Sequence, residues 1–243
     1  MLLGCLSLYA ADNDLITRQI TITLEKAGTL PDRIASSKKN KITNLKIIGE
    51  INGTDLRMIR EMAGSNSNGN STDGKLSVLD LSEAKIVKGG DCYLNNGYDY
   101  TSNDVIGSRA FLGCSGLTSL TLPADITSIG DEAFQGCSGL TSIYVYAEKV
   151  PKIDSNAFKG VDAKKCTVYV PMGTRDDYCA SDFGDYFENI VEFEATGIDK
   201  TTTSTDVEEV VRYSVNGQRL SAPTKGLNIV KYSDGSVKKV AVE

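Results

Sequence analysis

The sequence predicts a β-rich solenoid: a short right-handed coil of repeats, with an irregular α/β cap at its N-terminal end and a small β domain at its C-terminus. Three observations carry this expectation. One motif recurs through the middle of the chain at nearly constant spacing. Each copy holds a short stretch in which apolar and polar residues alternate. After residue 206 the pattern changes to short alternating runs separated by Asn-Gly and Asp-Gly pairs.

The repeat begins at Ile106 and runs through Ala110-Phe111, Gly113-Cys114 and Gly116-Leu117 to Leu120 and Leu122. The second copy lies 23 residues on, with Ile129, Ala133-Phe134, Gly136-Cys137, Gly139-Leu140, Ile143 and Val145 in the same places. A third copy, Ile153, Ala157-Phe158 and Gly160, slips two residues before Thr167-Val168-Tyr169-Val170. A period in the low twenties with an L-x-x-L-x-L core is the leucine-rich-repeat signature. Within one unit Leu120 and Leu122 alternate with Ser119 and Thr121, which gives a strand one apolar face. Phe111, Phe134 and Phe158 should stack as a ladder inside the coil, because a single coil cannot bury its own apolar side.

The strand motif also occurs earlier, at Ile42-x-x-Leu45-x-Ile47 and Leu76-x-x-Leu79-x-Leu81. Between them Thr54 to Met62 reads as a capped helix with Leu56, Ile59 and Met62 on one side. Ile16 to Leu24 reads as an opening strand. Residues 15–75 are therefore expected to shield the first coil. The units resemble the BspA-like leucine-rich repeats of anaerobic gut and oral bacteria. Residues 52–62, Leu79 to Ile86, and the close from Val170 through Tyr178 to Glu192 are similar to the ends of such arrays. That resemblance covers about residues 15–193 and implies adhesion to host matrix proteins or other cell surfaces; glycans are a further ligand class expected of a binding sheet with exposed loops. Two departures are the small number of full repeats and the absence of tryptophan in the closing segment, where Phe183 is the expected substitute.

The ends read differently. Residues 1–14 have the apolar and small-residue regions of a signal-peptide remnant. Cleavage near Ala10 or Ala11 and acylation at Cys5, within Leu2-Leu3-Gly4-Cys5, are alternative outcomes, and a genuine cytoplasmic start at Met1 is a third. Residues 194–206 lack apolar periodicity and form a linker. Residues 207–243 carry about four short strands and resemble the C-terminal sorting-type domain of type IX secretion substrates, which implies export by that machinery; a plain accessory β domain is the alternative. Secretion or surface display, lipid-anchored or through the sorting domain, is the expected location.

Composition removes several functions. The chain of 243 residues has a net charge of −6, which repels phosphate backbones and anionic lipid. It contains no histidine, so Ser-His-Asp and Cys-His nucleophiles are excluded. No C-x-x-C occurs, the 66–74 loop has its glycine in the wrong place for calcium, and no paired carboxylates stand out. No metal, cofactor or catalytic residue is expected, and no apolar run reaches the ~20 residues needed to cross a bilayer. The six cysteines suit disulfides in a secreted protein. Cys114 and Cys137 share a repeat position within formal disulfide reach, but parallel in-register side chains favour free buried thiols.

Ligand contacts are expected on the outward strand positions, where Lys46, Asp80, Thr121, Tyr144 and Tyr169 should line up, with Tyr146 beside Tyr144. The insertion at 88–104 adds Tyr93, Tyr98 and Tyr100 among Asn and Gly, a mix of rigid amphipathic area and adaptable polar groups, with a merely decorative insertion as the alternative. A structural component of an envelope assembly with no ligand of its own is the alternative to a binding protein.

Overall fold

The computed structural model describes residues 15–193 and the strand segments 209–214, 219–220, 226–232 and 237–242. In chain order the first unit contains β1 (Ile20–Leu24), α1 (Leu30–Arg33), α2 (Ser36–Lys39), β2 (Asn44–Ile51), α3 (Gly53–Met62) and β3 (Val78–Ile86). The coils follow as β4 (Val105–Ile106), β5 (Ser119–Thr121), β6 (Ser128–Ile129), β7 (Ser142–Tyr144), β8 (Lys152–Ile153) and β9 (Thr167–Pro171). The unit closes with α4 (Arg175–Cys179), α5 (Asp182–Tyr186) and β10 (Asn189–Phe193). Within a coil the chain passes from one strand of a three-stranded sheet, β4-β6-β8, to one strand of a seven-stranded sheet, β1-β2-β3-β5-β7-β9-β10. All pairings in both sheets are parallel, as a repeating coil requires.

The expected strand register holds. Ile47, Leu81, Leu122, Val145 and Val170 are all fully buried. A second inward row, Leu45, Leu79, Leu120, Ile143, Val168 and Ile190, is buried beside it. Phe111, Phe134 and Phe158 form the aromatic ladder, with centroids 5.2 and 5.1 Å apart and rings within 7° of parallel. Gly113, Gly136 and Gly160 occupy one repeat position, each at positive φ, where a side chain would be strained. The segment expected to be a cap does more than shield: β1 and β2 continue the seven-stranded sheet in the same parallel sense.

α3 begins one residue before the stretch read as helix. Asn52 accepts from Thr54 N–H, and Asp55 accepts from the Asn52 N–H. Asp55 also ties in the preceding loop through Gly28 and Leu30 N–H. Its buried Arg60 has a role the sequence did not show. Between coils, backbone N–H groups of one turn donate to carbonyls of the next: Phe111 to Ala133, Phe134 to Ala157, Gly113 to Gln135 and Gly136 to Lys159. The first coil's equivalent carbonyls, Ala110 and Leu112, have no earlier coil to receive from. The Arg60 guanidinium fills that place, donating to Ala110 O at 2.9 Å and Leu112 O at 3.2 Å, and to Arg109 O at 2.9 Å. At the far end, Phe183 and Phe187 cover Phe158, and the Tyr178 hydroxyl donates to Ala147 O at 2.7 Å.

Cys114, Cys137 and Cys166 are buried free thiols and Cys179 is an exposed one. Burial pushes Cys114 and Cys166 up to about 12. Their folded values exceed the ordinary 9.0, so their contribution to stability is complete below about pH 9 and is lost as pH rises toward 12. We expect a thiol reagent at neutral pH to label Cys179 in the native protein and these three only on unfolding. We also expect melting temperature to fall through that alkaline window. Native labelling of Cys114 would refute the closed core.

The second unit, from residue 196 onward, contains β11 (Glu209–Ser214), β12 (Arg219–Leu220), β13 (Gly226–Tyr232) and β14 (Val237–Val242). These pair antiparallel in the order β12-β11-β13-β14. The expected turns at Asn216-Gly217 and Asp234-Gly235, the linker, the leader and Cys5 lie outside the described residues.

Candidate functional site

One outward row crosses the whole seven-stranded sheet: Thr21, Lys46, Asp80, Thr121, Tyr144, Tyr169 and Val191. It changes character along its length. At the N-terminal end Lys46 Nζ lies 2.6 Å from Glu83 and 3.5 Å from Asp80. The Glu83 hydrogen bond, reinforced by both carboxylates, raises the Lys46 ammonium above its ordinary value despite partial burial. Glu83 reaches this face through a register shift, in which Lys46 pairs with Asp80 but Ile48 pairs with Glu83. The bulge resets the alternation so that two carboxylates three residues apart leave the same side.

The C-terminal end is aromatic. Tyr144 and Tyr169 stack with centroids 4.4 Å apart and planes within 9° of parallel. Phe193 meets Tyr144 edge-on at 5.8 Å and Tyr146 at 5.0 Å. The three tyrosines are half-buried, neither enclosed nor fully free. Partial burial raises the Tyr144 and Tyr146 phenols, with neighbouring Tyr169 and Asp80 respectively adding to the effect. Both therefore stay neutral hydrogen-bond donors well above pH 7. Thr121 joins this end to the charged one. Phe193 and Val191 complete the patch and were missed by sequence reasoning. They sit on β10 (Asn189–Phe193), beyond the repeats, where no further copy of the motif marks which residues face outward.

The 88–104 insertion is divided by its anchors. Tyr93 is a correction to the expectation that it offers contact area: it is 1% exposed, and its hydroxyl donates to Ser108 O at 2.8 Å. Buried Asp99 accepts from Arg109 at 3.2 Å, and the Thr101 hydroxyl donates to Val87 O or Gly89 O. Between and beside these anchors Tyr98 is 86% and Tyr100 51% exposed.

The parallel coil and its inward ladders accord with a comparison of the sequence with protein families. Residues 100–213 match the BspA type leucine rich repeat region, in six copies. The match supports a BspA-like leucine-rich-repeat protein. It covers all three coils and the closing segment, and its six copies exceed the three full units readable by eye. β1, β2, α3 and β3 precede the matched region, so the likeness of residues 52–62 and 79–86 to the ends of such arrays rests on their own residues. No curated protein matches the chain. No helix among the described residues is long and apolar enough to cross a membrane, and no three His, Cys, Asp or Glu side chains among them are placed to hold a metal ion.

Proposed function

We propose that this chain is a non-enzymatic binding protein, secreted or displayed at a cell surface, that holds a protein ligand on the aromatic end of its seven-stranded sheet. The observation that carries this reading is the stacked Tyr144–Tyr169 pair with Phe193 set edge-on against it. Rings already held by one another lose little side-chain entropy on binding, and Tyr presents an apolar face with a polar edge. Exposed Val191 continues the patch, and the ion-paired Lys46, Asp80 and Glu83 give it a polar border. The repeat family supports a surface role, in keeping with adhesion to matrix proteins or other cells. The C-terminal sheet is assigned the role of a sorting-type domain for type IX export on its sequence resemblance.

The test is capture on immobilised fibronectin, laminin and collagen, with Tyr144→Ala/Tyr169→Ala and Phe193→Ala alongside the parent. Parental capture should weaken roughly tenfold or more in each variant, while stability changes by about 1 kcal/mol, as expected of partly exposed positions. Equal capture by parent and variants would defeat the assignment. Failure of the parent to bind any of them would favour a structural component of an envelope assembly, for which the mutual covering of these rings is the supporting observation.

A further inference from the structure

A second recess lies on a different sheet, along the outward side of β4-β6-β8. It encloses about 400 Å³, within the range of small-ligand sites. Its floor follows from the repeat. The outward strand positions are Val105, Ser128 and Lys152, which are in-register neighbours. The next outward slot holds Gly107 in the first coil and Gly130 in the second, and Asp154 in the third. Lys152 with Asp154 closes the far end of the recess. The two glycines allow close approach from their neighbours, since an added Cβ would lie 2.4 Å from the Tyr93 hydroxyl at Gly107 and 2.7 Å from Ser108 N at Gly130. The side wall is the 88–104 insertion, which presents Tyr98 and Tyr100 into the recess.

Three features mark this as a prepared site. The wall is pinned by buried Tyr93, Asp99 and Thr101, so the exposed tyrosines are carried on a braced loop. Asp99 is itself held by Arg109, which also pairs with Glu132 at 2.9 Å. Arg109 and Glu132 occupy the same position in successive coils, both at positive φ (59° and 57°), a conformation that costs energy in non-glycine residues. Lys152 and Asp154, by contrast, make no side-chain hydrogen bond or ion pair among the described residues and are exposed. Their polar capacity faces the recess unspent.

The lining selects among ligand classes. Ser102, Ser108, Ser128, Lys152 and Asp154 make it too polar for an apolar small molecule. Asp99 is already paired with Arg109, so Asp154 balances Lys152 one to one, and with a chain net charge of −6 the recess offers no surplus positive charge for phosphates and other polyanions. The recess lies over the outward face of the sheet, and its edge strands β4 and β8 are only two residues long, which gives an added peptide strand little backbone to pair with. A neutral saccharide suits what remains. Its hydroxyls both donate to Asp154 and accept from Lys152 and the serines, and its C–H faces lie against tyrosine rings. We propose that this groove is a binding site for a neutral oligosaccharide, gripped between Tyr98 and Tyr100 on one side and Ser128, Lys152 and Asp154 on the other.

This site stands apart from the aromatic face of the large sheet, and its test separates the two. The full chain would be screened on an array of neutral, sialylated and sulfated oligosaccharides, and hits quantified by calorimetry. At least one neutral glycan should bind. Tyr98→Ala and Asp154→Ala should each weaken it roughly tenfold, the loss typical of one good contact, with melting temperature unchanged because both side chains are exposed. Tyr144→Ala/Tyr169→Ala should bind that glycan like the parent, and Tyr98→Ala should capture matrix protein like the parent. Three results would overturn the proposal: no neutral glycan bound, binding confined to sialylated or sulfated glycans, or a bound neutral glycan indifferent to both groove substitutions.

Discussion

Phe134→Ala is expected to cost about 3–5 kcal/mol, the loss typical of a fully buried aromatic side chain. Phe134 has no exposed surface and lies between two rings, 5.2 Å from Phe111 and 5.1 Å from Phe158. Removing it leaves a void that neither neighbour can fill, because each is held by its own coil. In a solenoid stability depends on contacts between adjacent repeats, so a break at the middle coil loosens both interfaces at once. Urea unfolding should show the loss, and for a unit of this size the melting temperature should fall by roughly 6–20 °C. Phe134→Leu should recover a large part of it by refilling the space. An unchanged melting curve for Phe134→Ala would refute the ladder as the central support.

Arg60→Met is expected to be comparably damaging, at about 3–5 kcal/mol. Methionine refills much of the volume, so the loss is not one of packing. What disappears are the donors to Ala110 O and Leu112 O, the carbonyls that an earlier coil would otherwise satisfy. Orphaning a buried acceptor costs about 1–3 kcal/mol, and at least two are orphaned here. Burial depresses the Arg60 guanidinium, and no carboxylate forms an ion pair with it among the described residues. Its hydrogen bonds to carbonyls and to Ser65 Oγ must therefore offset its desolvation. Arg60→Lys keeps the charge but not the fork, and should recover only a small part of the loss. Unfolding midpoints for the two variants would check this. An Arg60→Met protein as stable as the parent would mean the ladder's open end needs no donor.

The two residues differ in how far the sequence revealed them. Phe134 could be read from periodicity alone. A residue repeated at one place in every coil has to meet its own copies, and the apolar alternation fixes which side of the strand is buried. The same logic yielded the outward row of Lys46, Asp80, Thr121, Tyr144 and Tyr169 and the burial of Cys114 and Cys137. Each of these follows from translation along a coil, a local rule that needs no knowledge of distant contacts.

Everything at the ends and insertions escaped that rule, because no neighbouring copy exists there to fix the geometry. An arginine on a helix ordinarily reads as a solvated charge. That Arg60 turns inward was decided by the unpaired carbonyls of a coil some fifty residues away in sequence. Tyr93, Tyr98 and Tyr100 are indistinguishable by composition, and tertiary contacts alone bury the first and expose the other two. The bulge that puts Glu83 beside Lys46, the approach of Phe193 to Tyr144, and the groove between the small sheet and the tyrosine wall arise in the same way. The sequence by itself determined the repeating coil and its two faces, since both are periodic. Tertiary structure decided how the coil is capped and where it offers a ligand room, since those depend on single, unrepeated contacts.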